Sequence, residues 1–123
     1  LIMLARSTLL SHSKTNAIAN QLICYLQENY REELTSDIIA ARFNYHAYHI
    51  NRIMRNATGT TVHNYLINYR ISVSKNLLGN TSMSIDQIAA EVGFKNVSYF
   101  SNSFKKVVGC CPSTYRARHI RSI

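Results

Sequence analysis

The stretch NYHAYHINRIMR, residues 44–55, decides the fold. Read as a helix from about His46, it carries an apolar stripe, because apolar residues recur there at helical spacing. The stripe consists of Ile50, Ile53, Met54 and Ala57. Another side of the helix carries Tyr48, Asn51 and Arg52, and an amide and a guanidinium can pair with adenine and guanine edges. Taken alone, this helix fits DNA reading and an ordinary solvated polar face equally well.

A second, shorter helix is predicted just before this stretch, over residues 36–42. Thr35 is a candidate N-cap, and Asp37 in the first turn is favoured by the helix dipole. Asn44 lies between the two helices, and asparagine tolerates the left-handed conformation that a tight turn needs. The order helix, tight turn, helix with a polar outer face predicts a helix-turn-helix motif.

The same pattern recurs about fifty residues later in the chain. IAARFNY at 39–45 reappears as IAAEVGF at 88–94, with Gly93 in the turn position of Asn44. Further on, Ile50, Met54 and Arg55 reappear as Phe100, Phe104 and Lys105. The predicted apolar stripe of the second copy is Phe100, Phe104 and Val107, and its outward side carries Ser98, Ser101, Asn102 and Lys105. A repeat of this length indicates that one supersecondary unit was built twice.

The remaining segments arrange these two motifs. Residues 1–14 are read as a linker or N-terminal arm, and residues 15–123 as a DNA-binding domain with two helix-turn-helix subdomains, 15–60 and 79–118. Residues 61–78 are predicted to form one joining helix that Gly79 and Asn80 end. About eighteen residues span roughly 27 Å, which is near the 34 Å or so between adjacent major-groove faces of B-DNA. Ser84 opens a capping box, and Pro112 suits the first position of a last short helix.

Charge is unevenly distributed along the chain. Its 123 residues carry a formal charge of +8. Four of the six acidic residues fall within residues 28–37, whereas eleven of the fourteen Lys and Arg residues follow Asp37. The basic character therefore belongs to the part that holds both motifs. Solubility would explain such an imbalance, but it more often indicates a polyanionic partner.

The cysteines and histidines do not suggest a metal site, a cofactor or an enzyme. Cys24 lies in a predicted helix and is expected to be a core residue. The adjacent Cys110 and Cys111 suit neither a simple disulfide bridge nor a metal knuckle, and this use of cysteine favours a reducing compartment. His46 and His49 are spaced like metal ligands, but no third ligand lies nearby in sequence. No Ser-His-Asp pattern or phosphate loop is found, and no run of eighteen apolar residues predicts a membrane span.

With these residues placed, the sequence resembles the AraC/XylS-type transcription regulators. The resemblance covers about residues 16–116, and its longest part is IxxIAxxxGFxxxxYFxxxFKKxxGxxPxxYR over residues 85–116. It implies an all-α domain of about seven helices, with two helix-turn-helix motifs joined by a long linker helix. It also implies a bacterial cytoplasmic, nucleoid-associated protein with duplex DNA and RNA polymerase as partners. An effector-binding or dimerisation domain would lie outside this chain.

The resemblance also assigns roles to individual residues. Tyr48, Asn51 and Arg52 match positions that read bases in a first major groove, and Ser98, Ser101 and Asn102 match positions that face a second one. The expected phosphate contacts are His46, Arg55, Lys95, Lys105, Lys106 and Arg116. His46 stands where a serine cap is common, which predicts a frayed or late start of the first recognition helix. Asn102 replaces a longer basic residue, which predicts a shorter reach for the second.

Two alternative functions would use the same basic surface. The chain could be a protein-interaction module or a non-specific DNA-binding protein. The lysines and arginines beside the recognition helices would then be solvated charges or sequence-independent contacts. Salt-dependent affinity for DNA separates the first alternative from DNA binding, since counterion release accompanies every neutralised phosphate.

Overall fold

The computed structural model describes residues 17–119, and all of its regular structure is helical. The helices are α1 (residues 17–28), α2 (Ser36–Phe43), α3 (Ala47–Thr58), α4 (Val62–Asn80), α5 (Ile85–Glu91), α6 (Val97–Val108) and α7 (Pro112–His119). The prediction of an all-α domain of about seven helices with two helix-turn-helix motifs is confirmed. The N-terminal arm expected at residues 1–14, and the start of α1 expected at Thr15, lie outside the described residues.

The chain divides into two compact units. The described part of the first unit consists of residues 17–29 and Leu34–Tyr65, and that of the second consists of Tyr30–Glu33 and residues 66–119. The boundary passes through α4 after Tyr65, so each unit contains a part of this helix. Tyr30–Glu33, hereafter the strap, follows α1 in sequence but belongs to the second unit.

The first unit has an aliphatic core. Its buried side chains include Leu22, Leu26, Ile39, Ile50, Ile53, Met54 and Val62. The stripe predicted on α3 is confirmed at three of its four positions, but Ala57 is exposed. Val107, seven residues beyond Phe100, is also 47% exposed. Both predictions were wrong, because in the last turn of each recognition helix the half-buried position is the following residue, Thr58 or Val108.

The core of the second unit combines aliphatic side chains with a chain of packed aromatic rings. Phe100 and Phe104 are completely buried, and their ring centroids lie 5.8 Å apart. Phe94 packs on Phe100 at 5.3 Å, and Tyr115 of α7 packs on Phe104 at 5.5 Å. Tilted and edge-on aromatic pairs of this kind add to the stabilisation that burial alone provides. The chain of rings therefore fixes α6 against both the preceding turn and α7.

Most of the predicted helix boundaries are confirmed. Thr35 caps α2 by accepting the backbone N–H of Ile38, and Ser84 forms the expected capping box at α5. Asn44 has φ 59°, which is the left-handed conformation predicted for the first turn. Pro112 is the first residue of α7. These features depend on nearest neighbours in sequence, so the residue types predict them directly.

Helix α4 was predicted over residues 61–78 with Gly79 and Asn80 ending it, and in the structure it runs from Val62 through Gly79 to its last residue, Asn80. Arg116 donates from Nε to the carbonyl of Leu78 at 3.1 Å and from Nη2 to that of Thr81 at 3.3 Å. A helix end leaves carbonyl groups without partners inside the helix. Arg116 of α7 satisfies one of these carbonyls, that of Leu78, and also binds the carbonyl of the first residue after the helix.

Cys24 was predicted to be a core residue, and this was also wrong, because its side chain is exposed. It lies two positions after the buried Leu22, and two helical steps of about 100° carry a side chain to the opposite face. All three cysteines are free. Among residues 17–119, no helix is long and apolar enough to span a membrane, and no cluster of three or more His, Cys, Asp or Glu residues could hold a metal ion.

Candidate nucleic-acid interface

The outer side of α3 presents long polar side chains to solvent. Ile50, Ile53 and Met54 are buried, and they fix the rotation of the helix about its axis. Tyr48 is 77% exposed, and Arg52, one turn further along, is exposed as well. Arg55, in the last turn, is also exposed. The structure thus brings together a ring and two guanidinium groups on the side of α3 away from the core.

Asn51 was expected beside Tyr48 and Arg52, but its amide is bonded within the protein. Its Nδ2 donates to Oγ of Ser36 at 3.2 Å, and its Oδ1 accepts the backbone N–H of Val62 at 3.0 Å. The side chain is half-buried between the starts of α2 and α4. Both hydrogen-bonding ends of the amide are therefore occupied in this structure.

The start of α3 has no side-chain cap. His46 occupies the N-cap position with an extended backbone, but its side chain makes no capping hydrogen bond. The missing cap agrees with the sequence expectation, but the predicted late start was wrong, because α3 begins at Ala47 and Ile50 donates its backbone N–H to the carbonyl of His46 at 3.0 Å. The side chain of His46 is exposed, and its predicted phosphate contact stays a prediction. On the next turn His49 packs against Tyr45, with 5.1 Å between the ring centroids.

The outer side of α6 presents shorter groups. Asn96 caps this helix by accepting the backbone N–H of Tyr99 at 2.8 Å. Ser98 and Asn102 are exposed and Ser101 is half-buried. Lys105 and Lys106 are exposed in the last turn. The predicted residues of this motif therefore share one helix, with neutral groups at its start and positive charge at its end.

Sequence reasoning missed an aromatic contact at the start of each recognition helix. Tyr99 is 40% exposed, and its ring packs on Phe94 at 5.4 Å. In the first copy the matching positions are His49 and Tyr45, which also pack together. The sequence repeat could have revealed this contact. In both copies an aromatic residue of the turn, Tyr45 or Phe94, is followed by a ring in the first turn of the recognition helix, His49 or Tyr99. Tyr99 and His49 thus join the candidate surface residues.

The turn before α6 is held in place by the strap. Arg70 of α4 is buried and donates to the carbonyls of Tyr30 and Glu32, both at 2.8 Å. Burial lowers the pKa of this guanidinium from its ordinary value. Glycine suits position 93 beside it, since a Cβ on Gly93 would lie 2.8 Å from the carbonyl oxygen of Tyr30. The strap therefore forms one wall of the second turn.

Two predicted phosphate contacts already have partners in the protein. Lys95 lies with its Nζ 3.5 Å from a carboxylate oxygen of Glu33, and both side chains are exposed. Exposed pairs of this kind are weak, so the amine remains available to a stronger anion. Arg116 is half-buried and donates to the end of α4, as described above. Of the six predicted phosphate contacts, it is the one most engaged in holding the fold.

A thiol with hydroxyl neighbours, Cys111, lies directly before α7. Sγ of Cys111 is 3.4 Å from the hydroxyl oxygen of Ser113 and 3.0 Å from that of Thr114. Hydrogen bonds from Ser113 and Thr114 stabilise the thiolate and lower the pKa of Cys111 to about 7. In the first unit, the hydroxyl of Thr61 has the matching place and accepts the backbone N–H of Asn64 at 3.3 Å.

Comparisons with known proteins agree with this architecture. A family profile described as a helix-turn-helix domain matches residues 39–118. The chain is 33% identical over 104 residues to YisR of Bacillus subtilis, an uncharacterised HTH-type transcriptional regulator. That match covers 85% of this chain but only 36% of YisR, so the chain spans about a third of this relative.

Solved structures show the same fold. The C-terminal domain of AraT, a response regulator from Geobacillus stearothermophilus, superposes with a TM-score of 0.83 at 28% identity, covering 85% of this chain and 88% of that one. The DNA-binding domain of the global transcriptional factor AdpA, solved with a target DNA, gives 0.77 at 25% identity, covering 81% and 90%. The chain therefore belongs to the AraC/XylS-type helix-turn-helix family of transcription regulators, and it carries the DNA-binding domain of that family.

Proposed function

We propose that the chain binds specific duplex DNA by inserting α3 and α6 into successive major grooves, as the DNA-binding part of a longer bacterial regulator. The observation that carries the proposal is the pair Tyr48 and Arg52, exposed side by side on a helix whose opposite face is buried. An exposed guanidinium on a rigid helix can pair with both acceptors of a guanine edge. The matching face of α6 is exposed in the same way.

The proposal separates base contacts from phosphate contacts. We assign base contacts to Tyr48, Arg52, Ser98, Ser101 and Asn102, because they lie on the outward sides of the two recognition helices. Phosphate contacts are assigned to His46, Arg55, Lys95, Lys105, Lys106 and Arg116. Phosphate contacts fix the register on the duplex, whereas base contacts carry the sequence information. Specificity should therefore depend mainly on α3, which has the longer side chains.

The wider setting of the chain is also part of the proposal. Because the chain matches only 36% of YisR, we place an effector-binding or dimerisation domain in another part of the full-length regulator. We propose RNA polymerase as a protein partner, the bacterial cytoplasm and its nucleoid as the location, and binding without catalysis as the mode of action. Neither a cofactor nor a metal takes part in this mechanism.

Selection of bound sites from random duplex DNA tests the proposal. We expect a defined site to be enriched, and affinity for it to fall steeply between about 50 and about 200 mM salt, with a log–log slope near −0.9 per neutralised phosphate. A flat salt response would favour a protein-interaction module. A steep response without enrichment of any site would favour non-specific DNA binding.

A further inference from the structure

We propose that Asn51 is a positioning residue that fixes α3 against α2 and α4, and that it does not read a base. The inference concerns the recognition helix of the proposed function, and only its DNA readout rests on that function. Asn51 lies on α3 between Tyr48 and Arg52, so a base-reading role is the simpler expectation from sequence alone. The contacts of its amide point to the other role.

The two hydrogen bonds of Asn51 use both ends of its amide. The donor end is bound to Ser36 at 3.2 Å, in the first turn of α2. The acceptor end is bound to the backbone N–H of Val62 at 3.0 Å, and Val62 is the first residue of α4. The first N–H groups of a helix have no partner inside the helix. Asn51 therefore acts as a cap for α4 that comes from the recognition helix.

The second copy shows what happens when that N–H is missing. Counted from the repeat, Asn51 corresponds to Ser101, and Val62 corresponds to Pro112, the first residue of α7. Proline has no backbone N–H and is well suited to the first position of a helix. The helix that follows α6 thus needs no acceptor at the position of Val62. The first copy therefore has an amide, Asn51, where Val62 offers a backbone N–H. The second copy has only a hydroxyl, Ser101, where Pro112 offers none.

This bonding has a consequence for recognition. To reach a base, the amide of Asn51 would have to release Ser36 and the N–H of Val62 together. While it keeps them, it ties the rotation of α3 to two other helices of the first unit. The neighbouring Tyr48 and Arg52 then approach DNA from a fixed position, which lowers the ordering cost of their contacts.

A double-mutant cycle tests the bond to Val62 without any DNA. Asn51→Ser, which copies Ser101, should lower the Tm of this chain by about 5 °C. In a Val62→Pro background the same change should lower the Tm by no more than about half as much, because the N–H is already gone. The packing loss caused by proline is common to both members of that pair and cancels. Equal losses in the two backgrounds would overturn the proposal.

A second cycle, Ser36→Ala with Asn51→Ala, applies if the Val62→Pro chain does not fold. The loss of Tm for the double variant should be clearly smaller than the sum of the two single losses, because both changes break one bond. Strict additivity would show that the contact between Asn51 and Ser36 contributes no stability, and would contradict the proposed positioning role of Asn51.

Binding to a randomised duplex library tests the readout. Asn51→Ala should weaken all sequences by the same factor and leave the preferred base at every position unchanged. A base contact by Asn51 would instead change the preference at one or two positions by about 5- to 150-fold, and that result would overturn the proposal. Arg52→Ala is the matched control, since it should change the preference. Failure of the unmodified chain to select any site would refute the proposed function, while the Tm cycles would still decide the role of Asn51.

Discussion

The two helix-turn-helix units follow one plan but differ in how they are supported. In the first unit α3 lacks a side-chain cap, its core is aliphatic, and long side chains cover its outer face. In the second unit α6 is capped by Asn96, its core includes a chain of packed rings, and the side chains at the start of its outer face are short. The strap and a buried arginine also hold the turn before α6. We infer that the first unit is adapted to reading DNA and the second to a rigid hold on it.

Removing Arg70 should have the largest effect on this contrast. Arg70→Ala leaves the carbonyls of Tyr30 and Glu32 without their charged donor and opens space beside Phe94, so we expect a loss of about 3 kcal/mol in the free energy of unfolding. Urea denaturation measures it. Arg55→Ala is the matched control on an exposed site of the first unit and should stay within about 0.5 kcal/mol. Equal losses would show that the strap contributes nothing special to the second unit.

A pair of glycines isolates the contact between the strap and the turn. Gly93 and Gly109 have the same φ of 98°, but only Gly93 has a carbonyl close to the position of an added Cβ. Gly109→Ala should cost about 1–2 kcal/mol from backbone strain. Gly93→Ala should cost about 1–3 kcal/mol more, because the Tyr30 carbonyl has to move. Chemical denaturation of the two variants side by side decides it, and matching losses would mean that the strap yields freely.

The two recognition helices should differ in how much they contribute to base discrimination. Arg52→Ala should cost about 1–3 kcal/mol of discrimination and relax the preference in one half of the site. Asn102→Ala, at the corresponding position of the second copy, should cost less, because its side chain is short and neutral. Binding to libraries randomised in one half-site at a time measures both. If Asn102→Ala erased the preference and Arg52→Ala did not, the roles of the two units would be reversed.

Phosphate contacts should carry most of the affinity of the second unit. Replacing Lys105 and Lys106 together by alanine should weaken binding to all sequences about equally. The log–log salt slope should become shallower by about 0.9 for each phosphate that is no longer neutralised. Salt titrations against the selected site and against a scrambled duplex measure both effects. A weakening confined to the selected site would show that these lysines read bases.

The smallest expected effect concerns the hydrogen bonds of Cys111, directly before α7. In a chain with Cys24→Ser and Cys110→Ser, the alkylation rate of Cys111 should rise with pH and reach half its maximum at about pH 7, where the thiolate is half formed. Thr114→Val removes one hydroxyl from the thiolate, so the midpoint should move to higher pH. An unchanged midpoint would exclude this hydrogen bond as a cause of the lowered pKa.

The sequence predicted the local features and missed the distant ones. Thr35, Asn44 and Ser84 act within a few residues of their own positions, and their residue types were enough to place them. The partners of Asn51 lie 15 and 11 residues away in sequence. The strap carbonyl of Tyr30, which Arg70 binds, lies 40 residues away. No short spacing predicts such contacts, because they arise only when separate helices pack. The exposed face of α3 was nevertheless largely predictable, since its periodicity is local.

The position of the strap in the sequence limits how this domain can be cut into fragments. The second unit needs four residues that precede the first motif, so no single cut in the sequence yields both units intact. A fragment that begins after α3 would lack both carbonyl acceptors of Arg70 and the carbonyl of Tyr30 that lies beside Gly93. Although the sequence looks like two modules in tandem, gene fusions or deletions that transfer only the second motif would transfer an incomplete structure. A fragment meant to contain the complete second unit therefore has to include the strap as well as the second motif.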